Sequence, residues 1–475
     1  MSQRVIRPWV VPAVCALVLT SILGIALLRL SWPFVDLYAF LYRAASTTWR
    51  ETIVNAFTAG VEYRPLMTIG VKLAHQLVGL RLWPYQVLLI LQFAALLACL
   101  VWLFKADTYR RAAAACVALA CLAGLHSSRV MFTFAPSLNN HSMTAVLLMV
   151  AVLLALAPRS RAVELAYLPL TLGALLMLES GALIVAVMLV LWKVGAPGAS
   201  TRALTATLAG AAIYVVVRVG LSAQAGASTY TETGLGFADV DPGRLDQIFG
   251  QAPWLLWIYN VVASLLSVLV SEPRAGKYHL IESILHGNVP AWTAVHVITS
   301  LVTTSVVAYA LATSRIAEAR DRQIAAAGLT LLTVGSALGF LYTRDRIILW
   351  AGIGYAMLVY VALVALLDSH ERRRRLRPGW APLRLVVVTF ALPIVAAGWL
   401  VRTGEAHLQL RDTAWENYQE WTTRYEELGG RSRPQTDMLE LLRAKALAQP
   451  PADPRRDPQW TYTLFEREFE RAPVP

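Results

Sequence analysis

The chain has 475 residues, of which 57% are hydrophobic and 15% are charged, and its mean hydropathy is +0.53. Soluble globular domains carry about 25% charged residues, so this composition excludes an ordinary soluble protein and predicts a polytopic helical membrane protein. The net charge of +12 fits arginine-rich loops that stay in the cytoplasm by the positive-inside rule. We therefore expect membrane lipids, and no nucleic acid, as partners.

The first apolar segment runs from Val10 to Leu30 and follows two basic residues, Arg4 and Arg7. This run is longer than the hydrophobic core of a secretory signal, and no small-x-small cleavage site follows it. We expect a retained first membrane helix, with the N-terminus in the cytoplasm.

The next segment, residues 31–82, is predicted to be an external loop that carries interfacial helices. Apolar residues between Asp36 and Phe57 have the spacing of one helix face, which predicts a helix lying in the membrane interface. Pro65 suits the first turn of a second helix, and Gly79 is expected to end that helix.

Apolar spans then alternate with arginine-rich loops, which predicts an all-α polytopic fold. The predicted spans lie at about residues 83–104, 112–125, 141–157, 165–178, 182–192, 203–221, 292–312, 324–341, 347–367 and 383–401. With the first helix they give about 11 transmembrane helices. Residues 1–401 are therefore expected to form a transmembrane domain, and residues 402–475 a small, mostly helical, soluble tail on the extracytoplasmic side.

The polar region 222–291 makes the topology ambiguous. The positive-inside rule places the basic clusters around Arg320 and Arg372 in the cytoplasm, so this region has to begin and end outside. Pro253–Val270 is then re-entrant or interfacial, or else an additional weak crossing lies near His279–Val289. We favour the first alternative, because partial insertion is tolerated where it lines a cavity.

Two acids in the first external loop are candidate catalytic groups. Asp36 stands among aromatic residues such as Trp32 and Tyr38, and a partly desolvated carboxylate is a better base and a better metal ligand than a solvated one. Glu62 supplies a second carboxylate just before the second helix. The alternative for Asp36 is that it is simply solvated near the membrane surface.

Three arginines are candidate binding groups for a phosphate. Arg64 follows Tyr63 at the start of the second helix, where a guanidinium and free backbone N–H groups favour an anion. Arg344 and Arg346 lie in a short outside turn, against the positive-inside expectation, and an external arginine pair suits an anion. Alternatively, Arg64 faces lipid headgroups and Asp345 neutralises the other two.

Four further residues are candidates for substrate contact or accessory roles. Tyr63 lies between Glu62 and Arg64 in the first external loop. Glu179 lies in a very short connection between two apolar spans, where a charge is costly and therefore often functional. Asn140 and His141 precede the fourth span. Alternatively, Glu179 lies at the water interface of a tight turn. His141 is then a capping or interfacial histidine, because a lone histidine is rarely a site by itself.

The order of these motifs resembles the C-type-fold (GT-C) glycosyltransferases. In that family a first-loop acid, here Asp36, precedes an interfacial helix and a motif similar to Tyr63–Leu66. Val71–Leu80 is similar to the family's stretch leading into the second span. Asn139–Ser142 and Leu178–Gly181 are similar to a polar motif before the fourth span and an acidic turn between the fifth and sixth.

The resemblance covers roughly residues 10–220 and implies a reaction. The family includes protein O-mannosyltransferases and lipid A aminoarabinose transferases, which use polyprenyl-phosphate-linked sugars. By resemblance, Asp36 deprotonates or positions the acceptor, Glu62 is the second catalytic acid, and Arg64 contacts the phosphate of the donor. The acceptor would be a lipid, glycan or protein outside the bacterial cytoplasmic (inner) membrane.

One departure from the family concerns a metal ion. Several members place another acid near the start of the fourth span, whereas Pro136–His141 contains no carboxylate. No cofactor is therefore required by the sequence, and a divalent cation, if bound, would have Asp36, Glu62 and His141 as its ligands.

Two other classes of function remain open. The chain contains no Walker A loop, no GxGxxG motif and no HExxH motif, so a nucleotide-sugar donor is not expected. A non-catalytic protein, such as a glycan-lipid transporter, flippase or assembly scaffold, is one alternative, and an inactive GT-C homologue is another. Transporters place charges at the middle of the membrane, whereas the charges here lie at span ends, which favours an interfacial enzyme.

Overall fold

Helices form almost all of the structure, as the composition predicts. The computed structural model describes residues 7–28, 44, 47–58, 63–79, 82–128, 140–224, 234–235, 238–239, 242–250, 252–270, 284–289, 291–313, 316–343, 345–376 and 393–405. Within these ranges, the β-structure is one antiparallel pair of two-residue strands, β1 Gly234–Leu235 and β2 Ala238–Asp239. Gly234 pairs with Asp239.

The helices cover most of the predicted spans. In chain order they are α1 Val10–Leu28, α2 Trp49–Thr58, α3 Pro65–Val78, α4 Leu82–Phe104, α5 Tyr109–Gly124, α6 Asn140–Leu156, α7 Arg161–Met177, α8 Leu183–Lys193, α9 Thr201–Gln224, α10 Pro242–Phe249, α11 Pro253–Leu269, α12 Ala291–Thr313, α13 Ala319–Ala337, α14 Asp345–Leu376 and α15 at 393–405. A 3-10 turn, Glu179–Ala182, separates α7 from α8.

Five of the described helices are long and apolar enough to cross a membrane. Their apolar stretches are Val10–Leu28, Trp83–Phe104, Thr201–Leu221, Thr293–Thr313 and Ile348–Ser369. About 20 residues of helix are needed to cross the hydrocarbon core. The shorter apolar helix α6 has 17 residues. The chain is therefore a multi-pass helical membrane protein.

The region that made the topology ambiguous is bent. α10 and α11 meet at an angle of 96°, and the pair becomes a sixth candidate span only if the two helices are counted together. A break of this size is expected for a re-entrant segment and also for a broken span, so Pro253–Leu269 does not continue α10 as a straight crossing.

Helix α14 forms the centre of the bundle. Its apolar stretch Ile348–Ser369 is wholly buried, with α5, α11, α12 and α13 packed around it. Three aromatic residues on it, Trp350, Tyr355 and Tyr360, are at most 1% exposed. A helix that is hydrophobic on all sides is stable only when other helices surround it.

Two glycines allow α13 and α14 to approach closely. A Cβ atom added to Gly354 would lie 2.4 Å from the carbonyl oxygen of Gly328 and 2.6 Å from the amide nitrogen of Leu332. Small residues let the backbones of membrane helices come into contact. The position of the central helix therefore depends on the absence of a side chain at Gly354.

We expect Gly354→Ala to lower the free energy of unfolding in detergent by about 1–3 kcal/mol, the cost of an added atom in a packed interior. The matched control is Gly173→Ala in α7, where an added Cβ meets nothing within 4 Å and alanine favours the helix. Thermal unfolding of both purified variants provides the measurement. Equal stability of the two would show that the glycine contact does not hold α13 against α14.

Helix α2 starts at Trp49, inside the segment Asp36–Phe57 that the sequence predicted as one helix. Thr48 accepts a hydrogen bond from the Glu51 backbone N–H (3.2 Å), and its own N–H donates to the Glu51 carboxylate (2.7 Å). This reciprocal pattern is a capping box. The Thr48 backbone N–H, followed by its hydroxyl, lowers the pKa of Glu51. The break at Thr48 follows from local hydrogen bonding, which the apolar spacing from Asp36 to Phe57 does not reveal.

Helix α3 begins at Pro65, and Gly79 ends it with a φ of 60°, as predicted. The α3 side chains also fix the loop before α2. The buried Lys72 ammonium donates to the carbonyl oxygens of Ala44 and Thr47. The Trp49 indole N–H donates to the Gln76 side chain at 3.0 Å. The two interfacial helices therefore form one packed unit.

A network of charged residues holds one end of the bundle together. The buried Arg111 guanidinium of α5 forms two hydrogen bonds to Asp321 of α13 (2.7 and 3.1 Å) and one to the Tyr360 hydroxyl of α14 (3.1 Å). Its Nη2 also lies 2.6 Å from a Glu318 oxygen. We call this the Arg111 end of the bundle.

Other basic loops meet at the same end. The Arg159 guanidinium lies 2.7 Å from Glu164, whose carboxylate also accepts a hydrogen bond from the Ser200 hydroxyl at 2.6 Å. The Gln323 side chain donates to the Gly195 carbonyl oxygen. The loops that the positive-inside rule placed on one side are thus brought together at the Arg111 end.

Candidate functional site

Tyr63 is the centre of a polar and aromatic cluster at the end of the bundle opposite to Arg111. It follows α2 and precedes α3, and its side chain is fully buried. Its ring contacts Tyr214 of α9 edge to face (5.8 Å between centroids) and Phe57 of α2 at 6.5 Å. α2, α7 and α9 pack together here, so the cluster joins the external loop to the bundle.

Arg218, four residues after Tyr214 on α9, joins this cluster to Glu179. Its guanidinium lies 5.6 Å from the Tyr63 ring centroid and 5.9 Å from that of Tyr214. It donates to the Tyr214 hydroxyl at 2.8 Å and lies 3.4 Å from a Glu179 carboxylate oxygen. The Arg218 and Glu179 side chains are 32% and 37% exposed, so both reach the surface of the cluster.

The contacts of Arg218 leave its charge available to a ligand. Two aromatic rings hold the guanidinium by cation–π attraction, each contact being worth about 0.5–1 kcal/mol at a partly exposed site. A half-exposed ion pair contributes about 0–1 kcal/mol. An incoming anion can therefore compete with Glu179 for Arg218 at small cost, while the rings keep the guanidinium in place.

Burial raises the pKa of the Tyr63 phenol, and the Arg218 charge opposes that shift. The phenol is therefore neutral at physiological pH and keeps its proton for donation. Within the described part of the chain, its hydroxyl oxygen is buried and has no hydrogen-bond partner. A buried hydroxyl without a partner is costly, which makes it a donor available to a bound molecule.

Arg64 stands beside this cluster at the start of α3. Its side chain is half-buried, and its Nε is buried without a hydrogen-bond partner among the described residues. The residue occupies the N-cap position of α3 but caps no backbone N–H with its side chain. The first N–H groups of a helix lack partners within the helix, so α3 and Arg64 together present positive charge next to Tyr63.

The Glu179 turn is tightly built against α7. A Cβ atom on Gly181 would lie 2.5 Å from the carbonyl carbon of Ala174, so only glycine allows this approach. The Ser180 hydroxyl oxygen is buried and has no hydrogen-bond partner in the described ranges. The turn therefore fixes the direction of Glu179 toward Arg218 and leaves a second polar group beside it.

Asn140 and His141 begin α6 at the same end of the bundle. The Asn140 side-chain oxygen accepts a hydrogen bond from the His141 backbone N–H at 3.0 Å. The His141 ring is buried and stacks against Trp350 of α14, with 6.2 Å between centroids and 28° between the ring planes. α6 also packs against the Glu179 turn. These contacts suit a histidine that anchors α6, which is the alternative role considered for it.

The structure therefore brings together two of the predicted residues, Tyr63 and Glu179, through Arg218, and Arg64 directly follows Tyr63 in the chain. Asp36, Glu62 and Arg344 lie outside the described residues. Arg346 lies in the first turn of α14, and its side chain is also outside the description. The roles predicted for these four residues stay predictions.

A metal site is not formed by the described residues alone, because no group of three or more His, Cys, Asp or Glu side chains with suitable geometry occurs among them. Two of the three predicted ligands, Asp36 and Glu62, lie outside those ranges. The divalent cation stays a prediction, and no chemical step below depends on it.

Sequence reasoning missed Arg218, although a signal was present. It is a charged residue inside an otherwise apolar span, and such residues generally face the protein interior and mark functional sites. Its position on α9, four residues after Tyr214, also places both side chains on one helix face. What the sequence could not provide is the contact with Tyr63, more than 150 positions earlier in the chain.

A second buried charged cluster was also missed. Helix α15 continues to residue 405, into the predicted tail. Arg402 donates to the Ser300 hydroxyl (2.6 Å) and to the His296 carbonyl oxygen (3.2 Å) of α12, and Glu405 contacts the His296 ring. His296 is close to the start of α12 and Glu405 ends the described part of α15, so this cluster also lies near helix ends.

No protein-family model matches the chain, and a search of the curated proteins finds no similar sequence. The function is therefore argued from the geometry at the Tyr63 end.

Proposed function

We propose that the chain is a membrane glycosyltransferase that transfers a sugar from a polyprenyl-phosphate-linked donor to an acceptor outside the cytoplasm. The observation that carries the proposal is the group of Arg64, Arg218, Tyr63 and Glu179 at one end of a membrane bundle. It combines two guanidinium groups with a carboxylate and a neutral phenol. A phosphate leaving group and an acceptor hydroxyl need this combination of charges.

The arginines suit the phosphate of the donor. Arg64 forms no ion pair among the described residues and stands at a helix N-terminus, where anions are favoured. Arg218 is held by two tyrosine rings and shares its charge with Glu179 only through a half-exposed contact of 3.4 Å. Arg344 and Arg346 are proposed as additional phosphate contacts on the same side.

The proposed reaction is a single inverting displacement. The acceptor hydroxyl attacks the anomeric carbon of the donor sugar, and Asp36 takes the hydroxyl proton as the base. The bond between the anomeric carbon and the phosphate oxygen breaks, and the electron pair leaves with the polyprenyl phosphate. Arg64 and Arg218 stabilise the charge that develops on that oxygen. Glu62 assists as the second acid of the first loop.

Glu179 has a positioning role in this proposal. It holds Arg218 while the site is empty, and the anionic donor then replaces it as the partner of the guanidinium. Tyr63 donates a hydrogen bond to a donor oxygen, since burial raises the pKa of the phenol and keeps the proton on its hydroxyl. Asn140 and His141 fix the start of α6 beside the Glu179 turn.

The placement of charges favours an interfacial enzyme over a transporter. Transporters bind their substrates near the middle of the membrane with broken helices. The described charged clusters around Arg218, Arg111 and Arg402 lie near helix ends. This supports chemistry at the membrane surface. The proposed setting is a bacterial inner membrane with about 11 crossings, a cytoplasmic N-terminus and an extracytoplasmic tail.

The proposal is tested by replacing Asp36 with asparagine and measuring glycan transfer from a polyprenyl-linked donor in membranes. Loss of a general base lowers the rate by roughly 10²–10⁴-fold, so we expect transfer to fall by at least about 100-fold. Glu51→Gln, in the same external loop but in the α2 capping box, is the control and should retain transfer. Unchanged transfer by Asp36→Asn would show that the catalytic assignment is wrong.

A further inference from the structure

A lipid-facing groove lies between α1 and α4 at the Arg111 end, far along the bundle from Tyr63. It has a volume of about 670 Å³, and its walls are almost entirely apolar. Its lining residues are Trp9, Ala13, Ala16, Leu17, Thr20, Ala94, Ala98, Val101, Trp102, Lys105, Ala106 and Asp107. Leu17 and Trp102 are 65% and 77% exposed, so the groove is open to the membrane.

The groove is shaped by alanines on both helices. The lining residues run from Trp9, directly before α1, to Thr20 on α1, and on α4 small side chains at Ala94 and Ala98 face them. A stretch of 11 helical residues rises about 16 Å. One half of the hydrocarbon core of a bilayer is about 15 Å deep. The groove thus has the length of one lipid chain from the membrane surface to the bilayer centre.

The volume agrees with the same occupant. One water molecule takes about 30 Å³ of liquid, and a methylene group is of similar size. At about 670 Å³ the groove has room for one long acyl chain, and an apolar groove of this kind gives water few polar partners.

Two charged residues, Lys105 and Asp107, stand at the mouth of the groove. Lys105 directly follows α4 and is exposed, and it forms no ion pair within the described ranges. The exposed Asp107 carboxylate lies on the side of Arg111, with 3.7 Å between its oxygen and the Arg111 Nε, so Lys105 is the charge that no described acid pairs with. Trp9 and Trp102 stand at the rim, and tryptophan is enriched at the depth of lipid headgroups.

We propose that this groove is a binding site for one anionic phospholipid. One acyl chain lies along the alanines between α1 and α4, and the lipid phosphate pairs with the Lys105 ammonium. The occupant comes from the leaflet on the Arg111 side, so the site is separate from the one proposed for the polyprenyl-linked donor. This inference holds whether or not the chain is a glycosyltransferase.

The test counts phospholipid molecules bound to the purified full chain by native mass spectrometry, with phosphatidylglycerol and phosphatidylcholine as probes. Ala98→Phe fills the groove from α4, and Ala308→Phe adds the same ring at an exposed position of α12. We expect Ala98→Phe to lose one tightly bound phosphatidylglycerol that Ala308→Phe and the wild type keep. Thermal unfolding identifies any variant that fails to fold.

A second pair of variants tests the charge. Lys105→Gln is compared with Lys193→Gln, an exposed lysine at the same end of the bundle. One lysine near a membrane surface favours an anionic lipid by about fivefold, so the preference for phosphatidylglycerol over phosphatidylcholine should fall by about that factor only in Lys105→Gln.

Three results would overturn the inference. The groove holds no specific lipid if Ala98→Phe keeps the same number of phosphatidylglycerol molecules as Ala308→Phe. The headgroup assignment is wrong if Lys105→Gln and Lys193→Gln have the same lipid preference. The source is wrong if polyprenyl monophosphate, and not phosphatidylglycerol, is the lipid that Ala98→Phe fails to retain.

Discussion

Replacing Arg111 with leucine is expected to lower the free energy of unfolding by about 3–5 kcal/mol, which is the usual cost of removing one partner of a buried ion pair. Asp321 is 3% exposed, and its two hydrogen bonds to Arg111 are 2.7 and 3.1 Å long. Without the guanidinium, a buried carboxylate stays charged and unpaired, or takes up a proton. Either outcome destabilises the contact between α5 and α13.

The neighbouring Arg110 provides the matched control, since its side chain is exposed. Arg110→Leu should change stability by no more than about 0.5 kcal/mol, as surface substitutions do. The double variant Arg111→Leu, Asp321→Leu should recover most of the loss, because removing both charges also removes the desolvation penalty. These values come from unfolding curves in one detergent. A single variant as stable as Arg110→Leu would show that this network does not hold the Arg111 end together.

Replacing Arg218 with glutamine is expected to reduce glycan transfer by at least about 100-fold, the loss seen when one group that stabilises developing negative charge is removed. Arg218 contacts Tyr63, Tyr214 and Glu179. Its removal eliminates a proposed phosphate contact and leaves Glu179 unpaired beside the anionic donor. Repulsion between the two negative charges should then also weaken binding of the donor.

Two further variants separate this effect from damage to the fold. Arg218→Lys keeps the charge but loses the planar group that stacks on tyrosine rings and binds phosphate in two places, so transfer should be intermediate. Arg202→Gln removes an exposed arginine at the other end of the same helix and should leave transfer unchanged. Equal activity of Arg218→Gln and Arg202→Gln would exclude Arg218 from the reaction.

Local sequence signals predicted much of the helical structure correctly. Pro65 and Gly79 bound α3 as expected, because the fixed φ of proline and the positive φ open to glycine act through their own backbones. The Glu179 turn was predicted from its position between two apolar runs. The spacing of Thr48 and Glu51 is that of a capping box. The sequence prediction followed the apolar spacing from Asp36 to Phe57 instead and so missed this helix start.

The candidate site was only partly predictable, since its contacts join distant parts of the chain. Tyr63 and Glu179 were singled out separately, yet nothing local indicates that Arg218 of α9 lies between them. In the same way, Arg402 and Glu405 read as the start of a soluble tail, whereas their partners His296 and Ser300 on α12 bury them. Such pairings depend on how the helices pack, which the apolar pattern of each helix does not specify.

The most direct test of the proposed function uses polyprenyl monophosphate, the leaving group shared by every donor of this class. Its binding to the purified full chain can be measured without knowing the sugar or the acceptor. We predict saturable binding that weakens at least about tenfold, the effect of losing roughly 1.4 kcal/mol, in both Arg64→Gln and Arg218→Gln, and stays unchanged in Arg202→Gln. Equal binding by all three variants, or no binding by the wild type, would contradict the proposal that the Tyr63 end holds a lipid-linked phosphate.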